Sequence, residues 1–172
     1  MNSIALDMDG VMADVYKQFY EMDERDFGVR RKQEAVDGTA ERKAFPYIDR
    51  YVNEAGFFST VPVMEGCLEV VEQLNRNYEL FIVSAAMEFP LSLAEKRSWL
   101  GEHFPFITWR QVVFCGSKEI IRTAIMIDDH FHNLNSFTGS RTLLFTQPHN
   151  IFTDPGKHTR VANWTQVGEV LL

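Results

Sequence analysis

From Gly66 onward the chain alternates short apolar runs with helical stretches, and that alternation leaves few folds open. Cys67, Val70, Val71 and Leu74 recur at i, i+3, i+4 and i+7, the spacing of an amphipathic helix. Residues 78–84 then read as a buried strand. Pro90 to His103 is helical in pattern, with the proline tolerable in a first turn. Strand-like runs follow at residues 112–115, 124–127 and 142–145, and Asn163 caps a closing helix whose Trp164, Val167 and Leu171 share one face. Ile4 to Met8 supplies one more strand at the start. Strands this apolar, interleaved with helices, predict an α/β protein: a Rossmann-like parallel sheet with helices on both faces.

The rhythm stops between Asp14 and Pro62. This stretch is charged and helical in character, and Pro46 and Gly56 bracket a segment with Tyr47, Ile48, Tyr51 and Val52 on one side. The expected division is an α/β core of residues 1–13 and 63–172, with residues 14–62 inserted after the first strand as a small helical cap. Nine of the 22 aromatic residues fall in the insertion, more than an even spread would place there.

Composition narrows the function. With 172 residues, 45% of them hydrophobic, the chain can bury a core of its own. Seventeen basic against 24 acidic side chains give a net charge of −7, which argues against binding a nucleic-acid polymer. Cys67 and Cys115 are far apart and in no metal-ligand spacing, which suits a reducing compartment. The first residues carry no basic, then apolar leader, and no run of about 18 apolar residues occurs. The expectation is a cytoplasmic globular protein with no membrane partner; its oligomeric state is open, a homodimer included.

The chemistry-bearing residues sit where the strands end. Asp7 and Asp9 close the first strand two residues apart, so both point to one side, toward the crevice where open α/β sheets bind ligands. Asp128 and Asp129 close another strand. Carboxylates gathered in this way repel one another, and a hard cation such as Mg²⁺ relieves the repulsion. Between the acidic pairs, Ser84 follows the apolar run 80–83, and Lys118 lies just beyond 112–115. A lone serine or lysine in such a place is usually a cap or a solvated charge; their order along the chain makes them a phosphate-binding set. His130 and His132 flank Phe131, and a surface loop is the preferred reading over a zinc site, since no second cluster with ligand spacing accompanies them.

Asp7-Met8-Asp9-Gly10-Val11, Ser84, Lys118 and Asp128-Asp129 together resemble the four ordered motifs of the haloacid dehalogenase-like phosphohydrolases. A closer likeness, over about nine-tenths of the chain, is to the 5′(3′)-deoxyribonucleotidases. It rests on residues 7–14, Gly56-Phe57-Phe58, Glu95-Lys96 with Trp99, Ile127-Asp128-Asp129, Leu144-Phe145-Thr146 and His149-Asn150. Gly116 and Ala85 depart from better-known members, which carry a basic residue and a second hydroxyl there.

The resemblance implies a Mg²⁺-dependent phosphomonoesterase. Asp7 would be the nucleophile, Asp9 the general acid and base, and Ser84 and Lys118 the holders of phosphate oxygens. Mg²⁺ would be held by Asp7, the carbonyl of Asp9, and Asp128. Asp129 is expected to orient Lys118 or a metal-bound water. A deoxynucleotide base would stack on Phe19, Phe45 and Phe57. The alternatives are a phosphatase for a sugar phosphate or other small metabolite and, from other classes, a receiver-like signalling domain or a silent phosphate-binding protein. A receiver domain places its acid pair on the first strand and its phospho-acceptor on a middle one, an order opposite to that found here.

Overall fold

A computed structural model describes residues 2–172. Six parallel strands form one sheet in the order β3-β2-β1-β4-β5-β6. They are β1 (Ser3–Asp7), β2 (Glu79–Ser84), β3 (Val112–Phe114), β4 (Ile125–Asp128), β5 (Arg141–Phe145) and β6 (Thr159–Val161). The expected sheet is therefore present, with one more strand than the sequence reading provided. The period-two alternation of β1 sends Ile4 and Leu6 to one face and Ala5 to the other.

On the first face lie α5 (Cys67–Asn77), α6 (Ser92–His103) and α8 (Trp164–Leu171), packing Val71, Leu74, Trp99, Leu100, Trp164 and Val167 onto the sheet. The second face is covered by α7 (Phe131–Ser136) through Leu134, with Ile121 and Phe137 beside it. Asn163 caps α8, its side chain accepting from the Gln166 amide at 3.0 Å.

Between β1 and α5 come α1 (Val15–Phe27) and three single-turn helices, α2 (Gln33–Val36), α3 (Glu41–Ala44) and α4 (Ile48–Tyr51). Asp14 caps α1 by accepting from the Lys17 amide, and Gly28 ends it at φ +70°, the left-handed turn that glycine adopts without strain. The two ends of this excursion are stitched together. The Asp14 amide donates to the Pro62 carbonyl (2.8 Å), the Met64 amide donates to the Met12 carbonyl (2.7 Å), and Ala13 bridges Val63 antiparallel. Its apolar side chains, among them Tyr16, Phe19, Phe45, Tyr51 and Phe57, belong to the same buried cluster as Leu6, Trp99 and Trp164.

Candidate active site

The strand order reverses between β1 and β4, which is where a parallel sheet opens a crevice beyond its carboxyl ends. Leu6 pairs with Ile127, so the next residues on each strand, Asp7 and Asp128, emerge side by side. Ligand oxygens of Asp7, Asp128 and Asp129 lie within 4.8 Å of one another, and all three residues are buried. Lys118, itself 5% exposed, sits between Asp7 (Nζ to Oδ1, 2.5 Å) and Asp128 (Nζ to Oδ2, 2.7 Å). Asp128 also accepts from the His130 amide (2.9 Å) and from Asn133 Nδ2 (3.0 Å).

Burial and charge divide these groups. Burial pushes the Asp7 carboxyl well above the usual range; Lys118 opposes this, and the charges of Asp128, Asp129 and Asp9 add to it. For Asp128 burial acts in the same direction, but the Lys118 ammonium and the donated hydrogen bonds outweigh it and leave the group below its ordinary value. Burial pushes Asp129 well up, reinforced by Asp128 and Glu41. Burial pulls the Lys118 ammonium down, but Asp128 and Asp7 outweigh it and leave the group above its ordinary value.

Lys118 therefore bonds Asp7 and Asp128 and makes no bond to Asp129, so of the two roles expected for Asp129 the one toward Lys118 is not seen. Neighbours on an extended chain point opposite ways, so Asp128 faces the lysine while Asp129 turns to the loop after β1. There Gly10 has φ +75°, and a Cβ on it would stand 2.5 Å from Asp129 Oδ2. Asp129 Oδ1 is buried and has no hydrogen-bond partner. If all three carboxylates are ionised, three negative charges face one ammonium, a surplus of two. An oxygen-only donor set with that surplus and an orphaned buried oxygen fits a hard divalent cation.

Asp9 lines the same cavity as this cluster. Its Oδ2 is bonded by Lys96 Nζ and by Ser84 Oγ (3.3 Å), and Lys96 also donates to Ser84 (2.9 Å). Lys96 is 1% exposed, with its ammonium 4.5 Å from the centre of the Phe58 ring. No role for Lys96 follows from the sequence, because a lysine in mid-helix ordinarily faces water; the only signal was its place beside Glu95 in a family-like segment. Ser84 is engaged with Asp9 and Lys96 rather than turned into the cavity.

That cavity, of about 750 Å³, is floored by Asp7, Asp9, Lys96, Lys118 and Asp129. Phe19, Phe57, Phe58 and Phe89 line its apolar side with Ile48 and Val52. Phe45 does not line it, which corrects the expectation for that residue. Phe45 is fully buried among Tyr16, Phe19 and Tyr20, with ring centres 6.2, 5.5 and 5.2 Å away, and it packs the interior of the inserted helices. His130 precedes α7, and its ring lies parallel to that of His149, 4.5 Å between centres. Burial and the neighbouring His130 push the His149 imidazole down to about 4.

Comparison with known proteins agrees with this geometry. The family model described as 5′ nucleotidase, deoxy (pyrimidine), cytosolic type C protein matches residues 1–172. A Staphylococcus aureus (strain Mu50) protein described as a candidate 5′(3′)-deoxyribonucleotidase is 37% identical, covering 99% of this chain and 95% of its own. A Bacillus subtilis (strain 168) 5′(3′)-deoxyribonucleotidase is 44% identical over 67% of this chain and 65% of its own. Among solved structures, a haloacid dehalogenase-like hydrolase from Streptococcus pneumoniae superposes with a TM-score of 0.64 at 13% identity, covering 100% of this chain and 99% of that one. A magnesium-bound hydrolase of the same fold from Bacillus subtilis superposes with a TM-score of 0.58 at 12% identity, covering 99% and 98%. The fold is thus haloacid dehalogenase-like.

Proposed function

The chain belongs to the family of the cytosolic type C 5′ nucleotidases and is a phosphoric monoester hydrolase; on that premise we propose that it dephosphorylates deoxyribonucleoside monophosphates through an aspartyl-phosphate on Asp7. The observation that carries this reading is the set of Asp7, Lys118 and two further carboxylates at the sheet's switch point, beneath a cavity with an aromatic wall.

Asp7 Oδ1 takes the Met8 amide (2.7 Å) and Lys118, while no hydrogen bond reaches Oδ2, which is therefore the attacking oxygen. A phosphate dianion repels that carboxylate, and Mg²⁺ supplies the offsetting charge when bound. The residues that would hold it are Asp7, the Asp9 carbonyl and Asp128, with Asp129 added because its buried oxygen is unpaired. Lys118 stabilises charge on the non-bridging oxygens. Lys96 and Ser84 fix Asp9 Oδ2, leaving Oδ1 to protonate the departing sugar oxygen and then to take a proton from the water that hydrolyses the intermediate.

The base would lie against Phe19 and Phe57, which stack on each other at 5.5 Å. Residues 14–62 act as the cap that excludes water. A reducing cytoplasm suits a chain whose Cys67 and Cys115 are both free and buried. Among the described residues no helix is long and apolar enough to cross a membrane.

Phosphate release from deoxynucleotides, ribonucleotides and sugar phosphates, with Mg²⁺ and with chelator, tests the reading. Preference for deoxynucleotides, abolished by chelation, is expected; a flat or sugar-biased profile overturns the substrate assignment.

A further inference from the structure

Binding of one phosphate at the floor of the cleft leaves one carboxylate of the cap without a role. Glu41, at the start of α3, lines the cavity with its side chain 27% exposed. The segment before it is held to the core, where the Gly38 amide donates to the Pro148 carbonyl (2.8 Å). Among the described residues no lysine or arginine pairs with Glu41. Its neighbour Arg42 turns instead to Asp49 (3.0 Å) and Glu88 (3.7 Å). The His149 ring lies 4.0 Å from Glu41, but its imidazole, pushed down to about 4, is neutral. Burial raises the Glu41 carboxyl, and the His130 charge works against that rise. A largely buried carboxylate without a firm cationic partner costs stability, which points to a use in the cleft.

Its place decides what it meets. Glu41 feels the charge of Asp9, and Asp129 feels that of Glu41, so the three carboxylates share one end of the cavity. In the proposed mechanism Asp9 protonates the oxygen that leaves phosphorus, and the group attached to that oxygen extends toward the cap. In a monophosphate ester this group is an uncharged sugar. In a diphosphate it is a second, anionic phosphoryl group. The floor has no charge left to offset it, because Asp7, Asp9, Asp128 and Asp129 already balance Lys96, Lys118 and one divalent cation. Farther out, Asp49 and Glu88 outnumber Arg42.

On the monoesterase reading, on which this assignment rests, we infer that Glu41 is a specificity-determining residue whose carboxylate repels the second phosphate of diphosphates and triphosphates and confines the site to monophosphates. At an effective dielectric of about 20, like unit charges about 8 Å apart lower affinity about 30-fold. Glutamine keeps the size and polarity of the side chain and removes the repulsion.

The test is calorimetric titration of the full chain at pH 8 and fixed free Mg²⁺. The ligands are inorganic phosphate and methylenediphosphonate, a diphosphate mimic whose P–C–P bridge is not cleaved. In Glu41→Gln the affinity for the diphosphonate should rise about 10-fold or more, while that for phosphate stays within about twofold. Glu41→Asp, which restores the charge, should return most of the discrimination. A diphosphonate affinity unchanged in Glu41→Gln, or both affinities lowered together, overturns the inference and leaves the monoesterase reading standing. Failure of the wild-type chain to bind phosphate overturns both. Circular dichroism checks each fold, and Glu41→Ala replaces Glu41→Gln if that variant does not fold.

Discussion

Adjacent residues in this site do different work because the backbone points them apart. Asp128 serves Lys118 and Asn133, while Asp129 keeps an unpaired oxygen, and only a glycine at position 10 leaves room for it. Replacing Gly10 with alanine should cost about 2 kcal/mol from the left-handed backbone and the overlap with Asp129, measured by urea denaturation, and should weaken Mg²⁺ binding. Asp7→Asn should leave less than about 1% of the wild-type rate, since losing a covalent nucleophile costs orders of magnitude. Lys96→Met frees Asp9 from its anchor. A misplacement of about 1 Å can cost about 100-fold, so kcat should fall 10- to 100-fold with KM little changed. A fall in affinity alone would make Lys96 a substrate contact instead. Asp7, Asp9, Lys118 and the Asp128-Asp129 pair were legible in the sequence because each ends an apolar strand or lies within a few residues of its end. Lys96 was not, because a lysine in the middle of a helix ordinarily faces water, and Phe45 was misplaced, because neither residue type nor spacing says which way a side chain just past a single-turn helix points.

At the scale of elements, α6 joins the two parts of the protein. Glu95 accepts from the Gly56 amide (2.7 Å) and the Phe58 amide (3.0 Å), Lys96 reaches Asp9, and Trp99 Nε1 donates to the Val61 carbonyl (2.7 Å). One helix thus fixes both the exit of the insertion and the Asp9 carboxylate. Glu95→Ala strands two amides that donate to a charged acceptor, so stability should fall by about 2 kcal/mol. Hydrogen exchange at Gly56 and Phe58 should quicken; unchanged protection there would show that the carboxylate is not what holds them. Helices α5 and α8 were visible as periodic patterns, whereas α1, with 13 residues, showed only as part of a charged, helical insertion. β6 with three residues and α7 with six are too short to express a period, so the sequence reading showed neither. His130, the residue just before α7, stacks on His149 while its ring stays 5.6 Å from that of His132.

For the whole molecule, the balance of −7 sits oddly with an anionic substrate until the buried cations are placed. Lys96 and Lys118 both lie within the cleft, and the divalent ion would complete the attraction. The carboxyls of Asp7 and Asp129 are raised in the fold, so without metal they stabilise the protein below the unfolded carboxylate value. That contribution is lost as pH rises through their folded values. Mg²⁺ competes with those protons, so its effect on Tm should be larger at pH 8 than at pH 5.5, and small in Asp129→Asn at either pH. Equal increments at the two pH values would remove the carboxylates as the binding site.

The paired hydrogen bonds at Asp14–Pro62 and Met12–Met64 have one more consequence. They pin both ends of the excursion beside β1, so the sheet does not register how much chain lies between them. Doubling a loop already closed at its base costs only about 0.6 kcal/mol in entropy. Lengthening or trimming at exposed turns of this segment is therefore a thermodynamically mild way to reshape the chamber above Asp7 while the catalytic floor keeps its place.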